Sequence, residues 1–167
     1  MKRINLIIGA LSLIAIIISL LALSKEEKTA YIDYNEVYNN CDLKAQLEKD
    51  LESLVSSRES ELDSMKLELT FMSNKIKAGE TNQDDLNVFE DAKNRFLTFQ
   101  GRYEEENIRL KEEYYTQIRN DINSKSILFG EENGYDYLFA AVGDGSLMYA
   151  KEANNVTEEL TNYINKN

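Results

Sequence analysis

Two stretches of this chain place apolar residues at steps of three and four, which is the spacing of one face of an α-helix. The first stripe consists of Leu47, Leu51, Leu54, Leu62, Met65, Leu69, Met72 and Ile76. The second consists of Phe89, Ala92, Phe96, Phe99, Tyr103, Leu110, Tyr114 and Ile118. Neither stripe is stable in water, and a short polar segment with a glycine, KIKAGETNQDDL (75–86), lies between them. We therefore predict an antiparallel helical hairpin, in which the second helix folds back against the first.

Polar residues interrupt both stripes. Arg58 stands in the first stripe, Asn107 stands in the second, and Gly101 lies inside the second helix. The apolar steps average close to 3.6 residues, the period of a straight helix, rather than the 3.5 of a tight supercoil. We expect a loosely specified pair of helices of about 40 residues each, which is roughly 60 Å at a rise of 1.5 Å per residue.

A second set of apolar residues lies away from both stripes. Its members are Leu67 and Phe71 in the first helix and Leu97, Ile108 and Tyr115 in the second. A lone two-helix arm in water has no structural use for these side chains. Two explanations stay open: further arms cover them, or they contact another molecule.

The segments that flank the hairpin predict a small β structure. Residues 30–34 alternate with a period of two, which is typical of a short strand. The segment 135–150 contains two apolar runs joined at Asp144-Gly145, and an Asp-Gly pair is a strong signal for a tight β-hairpin turn. Helical spacing begins at Val37, and Cys41 falls near the start of that helix, where we expect a small buried apolar side chain or a disulfide between chains.

A short helix is predicted at the end of the chain. Asn155 is a suitable N-cap, Glu158 follows three residues later, and Val156, Leu160 and Ile164 share one face. The sequon Asn155-Val156-Thr157 is accordingly interpreted as a cap rather than a glycan site. The predicted fold is therefore mainly α with a small β body: a strand, a long helical hairpin, a β-hairpin and a helix.

The N-terminus has the composition of an export segment. Lys2 and Arg3 precede an apolar run over residues 4–23, and the polar sequence SKEEK follows at residues 24–28. Cleavage after Ser24 is compatible with the small residues before it. The run of 20 residues is, however, long for a cleaved signal peptide and sufficient to span a bilayer, which favours an inner-membrane anchor.

Composition excludes several classes of function. The chain has no histidine and one cysteine, so we predict no metal site, no cofactor, no catalytic residues and no enzymatic activity. The net charge is −11, and it becomes −13 without residues 1–24, which contain two basic residues and no acidic one. A strongly acidic chain is not expected to bind nucleic acid or anionic lipid headgroups.

The order and spacing of three segments resemble the Skp/OmpH family of periplasmic chaperones over nearly everything after residue 28. These segments are TAYIDYNEVYNN (29–40), the turn Lys77-Ala78-Gly79, and YDYLFAAVGDGSLMYAKEANNVTEELTNYINK (135–166). The resemblance implies a jellyfish-like homotrimer in which strands of three chains form a body and three helical arms enclose a cavity. It also implies an ATP-independent holdase for unfolded outer-membrane proteins in the periplasm.

This interpretation divides the chain into four parts: 1–24 as signal peptide or membrane anchor, 25–45 as body strand and helix start, 46–124 as the arm with its tip near 77–84, and 125–167 as the helix end, β-hairpin and last helix. The expected trimer-body residues are Ile32, Tyr34, Leu138, Phe139, Val142, Leu147 and Tyr149. The arm tip consists of Lys75, Ile76 and Lys77. The client-binding candidates are Leu67, Phe71, Leu97, Ile108 and Tyr115.

The chain differs from well-studied members of the family in its charge. Those proteins are basic with positive arm tips, whereas here Lys75 and Lys77 are followed by Glu80, Asp84 and Asp85. A second interpretation is therefore a membrane-tethered coiled-coil scaffold of the cell envelope without chaperone activity. A scaffold should have polar faces outside its helix pairing, so Phe71, Leu97 and Ile108 favour the chaperone.

If residues 4–23 form an anchor, the mature protein retains Met1 or Lys2 and fractionates with the inner membrane. Cell fractionation with N-terminal sequencing tests this expectation. Soluble protein that begins at Lys25 would establish cleavage instead.

Overall fold

The computed structural model describes residues 27–167, so the predicted export segment at residues 1–24 lies outside the described part. The elements are β1 (Thr29–Asp33), α1 (Tyr34–Asn39), α2 (Asp42–Lys77), α3 (Gln83–Asn133), β2 (Tyr137–Ala141), a 3-10 turn (Glu152–Asn154) and α4 (Thr157–Lys166). This part of the chain is mainly helical with a small two-stranded sheet, as expected from the sequence. Within it, no helix is both long enough and apolar enough to cross a membrane.

The sheet joins the two ends of the described chain. β1 and β2 pair in parallel, with Thr29 opposite Tyr137 and Asp33 opposite Ala141. A parallel pair needs a long crossover connection, and the two long helices between the strands provide it. On its other side, β1 makes a single bridge from Tyr31 to Asn155.

The β-hairpin predicted within residues 135–150 is wrong. β2 ends at Ala141, and residues 142–150 form no strand. The tight turn expected at Asp144-Gly145 requires positive φ at both residues, but here the positive φ angles belong to Gly143 and Gly145 and not to Asp144. The Asp144 carboxylate instead accepts a hydrogen bond from the Ser146 amide at 2.9 Å, a local turn that competes with strand pairing.

One apolar core holds the strands to the roots of the long helices. Its buried residues are Ala30, Ile32, Val37, Cys41, Leu47, Ile118, Ile122, Phe129, Val156, Leu160 and Ile164. They come from residues 30–41, from residues 156–164, and from the parts of α2 and α3 that lie next to the sheet. Cys41 is inside this core, in agreement with its interpretation as a small buried side chain.

Side-chain caps define the short connections around this core. The helix predicted from Val37 begins earlier, at Tyr34, because the Asp33 carboxylate accepts from the Glu36 amide at 3.0 Å. This helix then ends at Asn39, and α2 begins as a separate helix. Asn165 of α4 bridges the break: its amide group donates to the Asn40 carbonyl and accepts from the Asp42 amide, both at 2.9 Å.

The start of α4 differs by one residue from the predicted cap. Its N-cap position is Val156, and Asn155 lies one residue before it. The Asn155 side chain still accepts from the Thr157 amide at 3.1 Å and from the Thr157 hydroxyl at 2.6 Å. The same Thr157 oxygen accepts from the Asp33 amide at 2.9 Å, which ties α4 to the end of β1.

The turn between the long helices has the predicted chemistry. α2 ends at Lys77, and Gly79 takes a φ of +74°. α3 begins at Gln83 with a capping box, in which Asn82 and Asp85 exchange side-chain-to-backbone hydrogen bonds of 2.9 and 3.0 Å. The helices have 36 and 51 residues, so α3 is longer than expected because it continues past the pairing into the body.

Leu160 is 0% exposed. We therefore predict that the free energy of unfolding depends strongly on its side chain. Replacing Leu160 by alanine removes buried methylene groups and leaves a cavity, so we expect the free energy of unfolding to fall by about 2–5 kcal/mol. Urea unfolding of the full-length protein at fixed concentration measures this change. Leu67→Ala is the control, since Leu67 is 72% exposed and should cost less than about 0.5 kcal/mol. Equal losses in both variants would contradict this core.

Candidate functional site

The pairing of α2 with α3 buries its apolar residues only in part. Most residues of the two stripes are partly exposed, and Leu54 is exposed. Complete burial is confined to Leu47 and Ile118 near the body and to Ala92 nearer the tip. Two helices alone cannot cover each other's apolar faces completely, so the pairing needs additional determinants of register.

A polar layer provides such a determinant in the middle of the pair. Arg58, whose side chain is 14% exposed, donates one hydrogen bond to the Asn107 side chain and another, of 2.5 Å, to the Glu106 carboxylate. The two residues that interrupt the apolar stripes in the sequence therefore meet each other. Sequence analysis treated them as weaknesses and missed this contact.

A signal for this contact was present in the sequence. In an antiparallel helix pair, two residues that lie side by side on the two helices have residue numbers with a nearly constant sum. For the outermost residues of the two predicted stripes, the residue numbers add up to 165 in both pairs, Leu47 with Ile118 and Ile76 with Phe89. The residue numbers of Arg58 and Asn107 give the same sum. A guanidinium group opposite an amide and a carboxylate is a favourable pairing.

Tyr103 and Glu61 extend the polar layer by one turn. The Tyr103 hydroxyl donates to the Glu61 carboxylate at 2.6 Å, and the Arg58 guanidinium lies 4.9 Å from the centre of the Tyr103 ring. The hydrogen bond to the Glu61 carboxylate is the main reason that the pKa of Tyr103 is raised. From Arg58 to Glu61 the contacts move forward along α2, while from Asn107 to Tyr103 they move backward along α3. This is the order of contacts in an antiparallel helix pair.

The five client-binding candidates are exposed in the single chain. Leu67 and Phe71 on α2 are 72% and 64% exposed, and Leu97, Ile108 and Tyr115 on α3 are each more than half exposed. Tyr115 also contacts the Tyr38 ring, with a centroid distance of 5.9 Å. These apolar side chains therefore lie outside the α2–α3 pairing, at separate positions along the two helices.

The arm tip combines an apolar groove with charges of both signs. The groove has a volume of about 310 Å³ and is lined by Glu68, Phe71, Met72, Lys75, Ile76, Thr81, Asp85 and Val88. The Lys75 ammonium group lies 5.5 Å from the centre of the Phe71 ring. Ile76 is partly buried, whereas Lys75 and Lys77 are exposed.

The predicted trimer-body residues separate into two groups. Ile32 is buried in the chain's own core, and Tyr34, Leu138 and Leu147 are partly buried. Phe139, Val142 and Tyr149 are exposed. Sequence analysis missed further exposed apolar residues of the body, namely Ile127, Leu128, Tyr137 and Met148. The alternation of Tyr137 and Phe139, whose rings stack at 6.0 Å, could have indicated an apolar outer face of β2.

The described residues contain no group of three or more histidine, cysteine, aspartate or glutamate side chains arranged to hold a metal ion. Their distinctive features are a pair of long helices, a small α/β body at its root, and apolar side chains exposed along both. This combination defines a class of proteins in which a pair of long helices extends from a small α/β body.

The chain belongs to the OmpH family. Residues 28–164 match the family model described as outer membrane protein (OmpH-like), which confirms the resemblance seen in the sequence. The structure is similar to that of an OmpH-like outer membrane chaperone of Caulobacter crescentus CB15, with a TM-score of 0.70 at 10% sequence identity over 84% of this chain and 85% of that chain. The latter comparison shows a shared fold. A search of curated proteins gave no match.

The polar layer predicts that two arginines contribute unequally to the free energy of unfolding. Arg58→Ala leaves Glu106 and Asn107 without their donor in a partly buried position, so we expect a loss of about 1–3 kcal/mol in the free energy of unfolding. Arg109→Ala is the matched control, because the Arg109–Glu113 pair lies within one helix and both side chains are more than half exposed. Its loss should be about 0.2–0.5 kcal/mol. Urea unfolding followed by circular dichroism measures both, and an Arg58 effect no larger than the control would show that the layer contributes little.

Proposed function

We propose that this protein is an ATP-independent holdase chaperone that binds unfolded outer-membrane proteins between the arms of a periplasmic homotrimer. Membership of the OmpH family supports a role as a chaperone. The observation that carries the proposal is the exposed apolar surface of Leu67, Phe71, Leu97, Ile108 and Tyr115 on the paired helices. This surface is available for binding because none of these side chains is buried in the α2–α3 pairing.

Weak apolar contacts suit this function. A holdase without a chemical step has to release its client spontaneously, so its contacts need to be numerous and individually weak. A Leu, Ile or Phe side chain contributes about 1–3 kcal/mol when it is fully buried, and a partial contact with a mobile chain contributes less. Several such side chains on each arm can retain an unfolded chain without fixing its sequence or conformation.

The trimer supplies the cavity in this proposal. A two-stranded sheet is rarely stable by itself, and the exposed Tyr137 and Phe139 on β2 would be covered by neighbouring chains. Each chain would then contribute residues 25–45 and 125–167 to the body and an antiparallel hairpin, 46–124, as one arm. The tip near 77–84 would lie at the open end of the cavity.

The charge of the chain restricts the mechanism of binding. Residues 42–133, which form the two long helices and the turn between them, contain 21 acidic and 13 basic residues, a net charge of −8. Such a surface does not attract acidic clients at long range. We therefore attribute client binding to short-range apolar contacts, which respond little to salt, rather than to the lysines of the tip.

The proposal predicts opposite outcomes for two sets of substitutions. Replacing Phe71, Leu97 and Ile108 together by serine should leave oligomeric state and helix content unchanged, because all three side chains are exposed, but should abolish protection of the client. Lys75→Gln with Lys77→Gln should weaken protection only slightly. The assay is light scattering of an unfolded β-barrel protein diluted from urea, with the full-length chaperone present or absent.

The control measurements distinguish the alternatives. If the triple serine variant still protects the client and the lysine pair proves essential, the apolar mechanism is wrong. If the wild-type protein gives no protection at all, the membrane-tethered scaffold is the better interpretation. Adding 0.5 M salt shortens the Debye length to roughly 4 Å. This change should leave the protection of the client by the wild-type protein nearly unchanged.

A further inference from the structure

The segment after β2 is apolar but pairs with no strand among residues 27–167. Residues 142–150 form no strand, yet they include Val142, Leu147, Met148 and Tyr149. Met148 is 88% exposed and Tyr149 is 81% exposed. Adjacent large apolar side chains that remain so exposed indicate a contact with another molecule.

A groove of suitable chemistry lies on the body. It has a volume of about 280 Å³ and is lined by Ser126, Ile127, Gly130, Glu131, Tyr135 and Leu138. A groove of this size can receive a large side chain. The Tyr135 wall is held in place, because its ring stacks on Phe129 at 5.9 Å and lies 4.2 Å below the Lys28 ammonium group.

The described part of the chain does not explain why residue 130 in this groove is a glycine. A glycine inside a helix costs about 1 kcal/mol relative to alanine. The φ of Gly130 is not positive, so its backbone conformation does not require glycine. Apart from its chain neighbours and the adjacent backbone of its own helix, a Cβ atom added at Gly130 would meet no described atom within 4 Å, so packing against the described residues does not require glycine either. Close approach of a second chain would explain this residue.

We propose that the groove at Gly130 receives residues 147–149 of a second copy of this chain, with the Tyr149 ring against the bare backbone of Gly130. This inference rests on the homotrimer of the proposed function and identifies one of its contacts. Charge supports the assignment, because Glu131 lines the groove and Lys151 follows Tyr149 by two residues.

The contact is heterologous, because the groove and the segment are different parts of the surface. A heterologous contact does not form a two-fold dimer: it closes into a ring when its repeated rotation completes a full turn and forms an open filament when it does not. A ring is compatible with the proposed trimer. The high exposure of Tyr149 shows that the segment does not occupy the groove of its own chain.

Disulfide trapping tests the contact in the full-length protein. Two copies that differ in size, one with Gly130→Cys and one with Tyr149→Cys, are co-expressed with Cys41→Ala in both and then oxidised. We expect a disulfide-linked product of the two different copies. In the matched control, Gly101→Cys replaces Gly130→Cys. Gly101 is also a glycine inside α3 with open surroundings, but it lies about 43 Å from Gly130 along the helix axis, at 1.5 Å per residue. The control pair should give no product.

A leucine substitution tests the same contact by filling the groove. Gly130→Leu should weaken assembly at least tenfold in sedimentation experiments while helix content stays unchanged, and Gly101→Leu should assemble like the wild type. An intact trimer in the Gly130→Leu variant without the disulfide product would overturn the contact and leave the trimer standing. A wild-type protein that sediments as a monomer would overturn both the trimer and the contact. A disulfide within one chain carrying both cysteines would assign the groove to the chain's own segment and also overturn the proposal.

Discussion

The whole described structure depends on the apolar contact between the two ends of the chain. Val37, Ile122 and Leu160 are among its most buried residues, and they come from the first short helix, the base of α3 and the last helix. This core holds the roots of α2 and α3 side by side, so the long helices start from fixed positions. Without it, each would be an isolated amphipathic helix whose apolar stripe has no partner, and such helices owe most of their stability to packing.

Beyond the body, the helix pair combines limited burial with a specific register. The partly exposed apolar stripes contribute non-directional attraction, which would tolerate a shift of one helix along the other by a turn. The Arg58, Glu106 and Asn107 contacts are directional and would be lost in such a shift. A polar layer of this kind can fix one alignment at some cost in stability. The exposed apolar residues outside the pairing are then available for the proposed binding.

The distribution of exposed apolar residues connects this architecture to the proposed function. On the arms they are spread out, with Leu97 and Ile108 eleven residues apart on the same line of α3, about 16 Å along the helix axis. Around β2 and the following segment they are adjacent, as with Met148 and Tyr149. Spread-out contacts suit a mobile client that binds weakly at many points, whereas a dense patch suits a permanent contact between chains.

The sequence by itself determined the two long helices, the turn at Gly79 and the core face of the last helix, because these features depend on residues within a few positions of one another. It also sufficed to place Phe71 and Leu97 outside the helix pairing. Only the tertiary structure decided that β2 pairs in parallel with β1 and that residues 142–150 form no strand, because Asp144-Gly145 has the composition of a hairpin turn whichever partner the strand finds. The same applies to Arg58 and Asn107: each is a local interruption, and their contact exists only once the hairpin brings together residues that are 49 positions apart.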